Sequence, residues 1–310
     1  MKRTAWTLAA LLLLSLTLSA QTTHEDFVRR YNNLTGRVGP AGVGVETLLD
    51  RWEAAEPDDF DMLLARFSFC FTKCQTSHVV QLDRDRYLGR EPLLPFTDST
   101  GVKRNYFEDT DYDDETFGEA QRYLDRAIGL APDRLDFRLL KVTALAAYEK
   151  ESPDMALSAL KALADEHYTT HPAWQYDGLA EVDEDTFKAL MQDYCFAFFR
   201  NGSAASAEAF KSLSEHLLKY NKDEPMYLDN IGSYYLVHKK DSKKALKYYN
   251  KVLKAHPDDV TAIRNCLLLA RNAKDAKLEK KYLPLMVRYG ETETDRASAQ
   301  ARLDALERKR

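Results

Sequence analysis

Apolar residues recur along this chain in one repeating frame. An apolar side chain is followed by another four residues on and a third three beyond that, with a proline five residues later. Val45, Leu49, Trp52 and Pro57 fit it, as do Ala120, Leu124, Ala127 and Pro132, and Ala245, Tyr249, Val252 and Pro257. Steps of four and three place the apolar positions on one face of a helix. The proline cannot extend that helix, so it marks the stop. Aspartate follows each of these prolines, at Asp58, Asp133 and Asp258, where negative charge suits the start of the next helix. Leu213, Leu217, Tyr220 and Pro225 match the frame a fourth time.

Reading outward from these segments predicts helices over 24–35 and 44–56, then 58–74 and 115–130, which form a pair across a long insertion. Further pairs are expected at 134–149 with 153–168, 184–199 with 203–220, 226–239 with 242–255, and 259–272 with 275–289. A last polar helix over 294–308 would cover the final pair. A polar linker is expected near 171–183. The insertion, about 75–114, departs from the helical period. Val79 to Leu82 and Leu93 to Phe96 are short apolar runs, Asp98 to Gly101 reads as a turn, and Val102 to Phe107 alternates as a strand does. These features predict an ordered hairpin. Its Val79, Val80, Leu82, Leu93, Leu94, Phe96, Tyr106 and Phe107 should pack on neighbouring helices near Phe67 and Phe71.

One segment carries a specific resemblance. Leu228-x2-Ile231-Gly232-x2-Tyr235, followed by Ala245-x3-Tyr249 and Pro257, resembles a tetratricopeptide repeat. Leu228 stands where that family usually has Trp, and Ile231-Gly232 where it has Leu-Gly. The chain is similar in this respect to exported tetratricopeptide proteins of Bacteroidota, and Asp98-Ser99-Thr100 resembles a short O-glycosylation acceptor of their envelope proteins. The resemblance implies an all-α, solenoid fold of about six antiparallel helix pairs, with a C-terminal capping helix and the hairpin-like insertion. Gly232 would then sit against the second helix of its own pair, facing Ala245 or its neighbours. The resemblance further implies a concave surface built from first helices, where a protein or peptide partner lies. On that surface it offers Asp185, Lys188, Gln192, Asp229, Asn230, Ser233, Arg264 and Asn265 as partner-binding residues. Asn230 would contact the backbone of a bound peptide. The family's carboxylate-gripping groove is rich in Lys and Asn, and Asp229 and Ser233 depart from it.

The amino terminus adds an address. Lys2 and Arg3 precede an apolar run over 8–18, and Ser19-Ala20 supplies small residues for cleavage. Residues 1–20 read as a signal peptide, leaving 21–310 as one repeat domain in the periplasm or cell envelope, with no membrane insertion after cleavage. Without residues 1–20, 42 Lys and Arg face 49 Asp and Glu, a formal charge of −7. No basic stripe offsets that balance, which argues against nucleic acid as a partner.

Catalytic patterns do not assemble. The sequence holds no His-Glu-x-x-His, phosphate loop, Gly-x-Ser-x-Gly or Cys-x-x-Cys. Cys70, Cys74 and His78 match no zinc spacing, and the four cysteines read as buried thiols rather than ligands. The expectation is a binding protein without cofactor or metal, holding another exported protein. The rival is a small-ligand or glycan-binding accessory protein using residues 75–114 as a lid. That rival requires an apolar or aromatic pocket near residues 79–107.

Overall fold

A computed structural model of the chain describes residues 23–177 and 182–308. The signal-peptide reading of residues 1–20 lies outside them. Among the described residues the fold is mostly helical, with thirteen helices and a small three-stranded sheet. No described helix is long and apolar enough to cross a membrane. The described residues divide into two compact units, one of 23–77 with 110–132, the other of 78–109, 133–177 and 182–308.

The first unit contains α1 (His24–Val38), α2 (Val45–Ala55), α3 (Phe60–Lys73) and α4 (Asp114–Leu130). Each start has a physical cause. Thr23, Asp59 and Asp113 accept hydrogen bonds from the backbone amides of Asp26, Met62 and Thr116, satisfying donors that an α-helix leaves open. Pro57 follows the end of α2, as the frame predicts. Its apolar stripe (Val45, Leu49, Trp52) is fully buried, and Phe27 of α1 stacks on Trp52 with ring centroids 5.7 Å apart. Helices α1 to α4 pack in chain order, α3 most extensively on α4. Phe71 closes this core against Tyr112 and Phe117.

The second unit holds α5 (Leu135–Glu149), α6 (Asp154–Thr170), α7 (Glu184–Asn201), α8 (Ala204–Leu217), α9 (Pro225–Val237), α10 (Ser242–Ala255), α11 (Val260–Asn272), α12 (Ala276–Tyr289) and α13 (Glu293–Arg308). Helix α5 packs on α6, α6 on α8, and α7 on α8, while α9 contacts α7, α8 and α10. From α9 onward each helix packs on the next. Tyr249, Ile263, Cys266, Tyr282, Leu283 and Met286 form the centre of that stretch. Helix α13 covers its end by burying Ala299 and Leu306, and Arg302 grips the buried Glu279 with two bonds of 2.7 and 2.8 Å.

Three expectations need correction here. The match of Pro225 to the frame is partly accidental: α8 ends at Leu217, short of the expected 220, and Pro225 opens α9, where its missing N–H would have had no partner anyway. The polar linker near 171–183 is a packed wedge in its described part, residues 178–181 lying outside it. Trp174 is fully buried, its indole N–H reaching His167 Nδ1 at 3.2 Å, and His167 stacks on Phe187 at 3.6 Å. One large apolar ring outweighs the polar residues around it once its single donor is satisfied.

The third correction concerns the insertion, which has three strands rather than two: β1 (Gln75–Leu82), β2 (Leu94–Thr97) and β3 (Lys103–Tyr112), in the order β1-β3-β2. Leu94 faces Tyr106 and Phe96 faces Arg104 across the antiparallel β2–β3 pair. The predicted turn is present, with the Asp98 carboxylate accepting from the amides of Thr100 and Val102. Phe107 is buried beside Tyr87, but Val79, Leu93, Leu94 and Phe96 are exposed rather than packed on helices. Alternation along β3 puts Asn105 and Phe107 on the covered face and leaves Arg104 and Tyr106, on the other, half-buried.

Candidate functional site

The side chains expected on a concave helical surface are largely engaged with one another. Asp229 and Asn230 are both buried, contrary to their expected exposure. The Asn230 amide donates to Gln192 Oε1 at 2.7 Å and to Ser214 Oγ at 3.2 Å, and its Oδ1 accepts from Gln192 Nε2 at 3.0 Å. Lys188 reaches Glu224 at 3.1 Å, Ser233 meets the Tyr249 hydroxyl at 3.2 Å, and Arg264 pairs with Glu291 and Asp295. Asp185 is exposed and Asn265 is half-buried. The physical reason is that α9 touches α7, α8 and α10, which leaves its Asp229–Asn230 face no solvent. Asp229 has one carboxylate oxygen, Oδ1, buried without a hydrogen bond, and burial together with Asp259 pushes its carboxyl up to about 8.

A cavity of about 330 Å³ opens elsewhere in the same unit, between α5 and α7 and beneath the loop joining β1 to β2. Part of its wall is small or apolar (Ala146 and Ala147 from α5, Ala197 and Phe198 from α7, with Pro153 and Leu88), and the rest is polar or charged. Leu88 and Gly89 form a two-residue turn, φ 49° and 75°, closed by Tyr87 and Arg90 exchanging backbone bonds of 3.0 and 2.9 Å. Both positive φ values suit a tight hairpin reversal. A Cβ on Gly89 would stand 2.5 Å from the Arg200 carbonyl oxygen, so the turn rests directly on the end of α7. Asn201 fastens the same end of α7 to α5, donating to the Lys150 carbonyl at 3.0 Å. Lys150 itself is neutralised by Asp109 at 3.0 Å. Thr143 and Tyr194 add hydroxyls to one wall, 2.9 Å apart and both bonded to the Leu139 carbonyl. Sequence periodicity missed this cavity, because alanines at helical spacing read as ordinary packing.

The sheet supplies a second surface. Strand β2 pairs on one side with β3 and lies at the edge of the sheet. Of the twelve large apolar side chains exposed among the described residues, five fall between Val79 and Val102. Exposed apolar side chains gathered on one small element make it a candidate contact surface.

Possible metal ligands gather at His24, whose Nδ1 lies 3.1 Å from Glu56 and 3.4 Å from Asp59, with Nε2 3.3 Å from Asp61. Two of these carboxylates already serve the fold. Asp59 caps α3 and Glu56 accepts the Trp52 indole N–H at 2.9 Å. The carboxylates also raise the His24 pKa, foremost through the Glu56 hydrogen bond, so the group acts as an ionic clasp on the protonated ring. All four cysteines are free and buried, and burial pushes the Cys70, Cys195 and Cys266 thiols up to about 12 and Cys74 to about 11. His78 falls on β1, not along the helix end that holds Cys70 and Cys74.

No family model matches this sequence, and no curated protein matches it.

Proposed function

We propose that this protein is an exported interaction scaffold of tetratricopeptide type, holding a protein partner at the sheet of its insertion. The helical part supports the scaffold reading through its repeating apolar frame and the packing of successive helices on one another. The six-pair solenoid and the envelope location belong to this proposal. The observation that carries the binding surface is the exposure of Leu93, Leu94, Phe96 and Val102 around the edge strand β2. An edge strand offers unpaired backbone groups, so an extended partner segment can add to the sheet while its side chains cover these apolar groups. The Asn230 region is a poorer candidate, since its polar groups are already bonded to each other.

The test is capture of partners from envelope extract by the mature protein and by a Leu94→Ser/Phe96→Ser variant. A specific partner retained by the native chain and lost by the variant, at unchanged helix content, is the expected result. Equal retention by both chains would sink the assignment of the sheet.

A further inference from the structure

We propose that the cavity between α5 and α7 is a site for a short free peptide of two to three residues with an apolar side chain. This goes beyond the scaffold reading, because it rests on a different surface and needs no protein partner.

Asp193 and Arg200 line the cavity from one helix, and both side chains are exposed. Neither makes an ion pair with an opposite charge among the described residues. Seven residues separate them, so they lie on the same face of α7, about 10 Å apart along its axis. The Arg200 guanidinium lies over the Phe196 ring, 5.4 Å from its centroid, at the rim of the cavity, because Phe196 is not one of its walls. Extended chain covers at most roughly 3.3–3.6 Å per residue, so two or three residues bridge the pair. A free peptide then places its ammonium on Asp193 and its carboxylate on Arg200.

Between the two charges the surface is Ala197, and opposite it Ala146 and Leu88, which leave room for one apolar side chain. A volume near 330 Å³ suits a ligand of this size. The Thr143 and Tyr194 hydroxyls bond each other at 2.9 Å and the Leu139 carbonyl, and the lone pairs not used between them are left to accept from the peptide's N–H groups. The Leu88–Gly89 turn holds the mouth in place by its contact with the Arg200 carbonyl, so the site is formed before a ligand arrives.

Calorimetric titration of the mature protein with Ala-Leu-Ala and with its N-acetylated, C-amidated form tests the assignment. The free tripeptide should bind saturably, and the capped form about tenfold more weakly or worse, as loss of charge-assisted bonds predicts. Asp193→Asn and Arg200→Gln should each weaken the free tripeptide by a similar factor and leave the capped form unaffected. Ala197→Trp should abolish binding of both. These three positions are exposed, and helix content measured by circular dichroism confirms that each variant is folded. No saturable binding of the tripeptide, equal affinity for free and capped forms, or free leucine binding as tightly would each overturn the proposal. Loss of the sheet-bound partner through Leu94→Ser/Phe96→Ser would leave this titration unchanged, so the two proposals fail separately.

Discussion

Gly232 of α9 lies against the ring of Tyr249 of α10 so closely that a Cβ would stand 2.5 Å from Tyr249 Cε1. Tyr249 is fully buried, and its hydroxyl meets Ser233 at 3.2 Å, so the ring has little freedom to retreat. Gly232→Ala should therefore destabilise the protein by about 1–3 kcal/mol through overpacking, although alanine favours an isolated helix by roughly 1 kcal/mol. Urea denaturation of the two chains checks this. An unchanged midpoint would show that α10 can shift at little cost.

Asp229 makes stability depend on pH. Its folded carboxyl is pushed up to about 8 by burial, whereas an unfolded aspartate titrates near 4. Between these values the folded state holds a proton that the unfolded state releases, so stability falls as pH rises from about 4 to about 8, then levels off. The effect is on the order of a few kcal/mol across that window. Asp229→Asn keeps the shape without the ionisation and should flatten this part of the profile. Thermal melts of both proteins from pH 5 to 9 decide it, and parallel profiles would show that another group carries the dependence.

Asn230 is predicted to matter for stability. Replacing it with alanine removes both amide bonds of Gln192 and one bond of the buried Ser214, whose hydroxyl keeps the Phe210 carbonyl, at a cost of about 1–3 kcal/mol. Gln192→Ala in the same background should cost less than it does alone, because the two share one pair of bonds. A double-mutant cycle by chemical denaturation measures this coupling. Strict additivity would mean the amide pair contributes little.

Much of the helical order was legible because it is local. The four–three spacing of Val45, Leu49 and Trp52, or of Ala245, Tyr249 and Val252, is set by the turn of the helix, and a proline or a capping aspartate acts within a few residues. The same reasoning ran α8 on to residue 220, whereas it ends at Leu217, and set the start of α9 one residue after Pro225, which opens it. It also passed over Trp174, whose burial depends on His167 and Phe187 arriving from two different helices.

By itself, then, the sequence determined where helices run, that residues 75–114 form strands, and that the cysteines are core thiols. Each follows from side-chain pattern and backbone chemistry over a few turns of chain. Only the tertiary structure decided which faces stay open. Asn230 is enclosed because α9 packs against three helices, Leu94 and Phe96 are exposed because β2 lies at the sheet edge, and the cavity exists because Gly89 can touch Arg200. Exposure and enclosure depend on neighbours distant in sequence, which local periodicity does not encode.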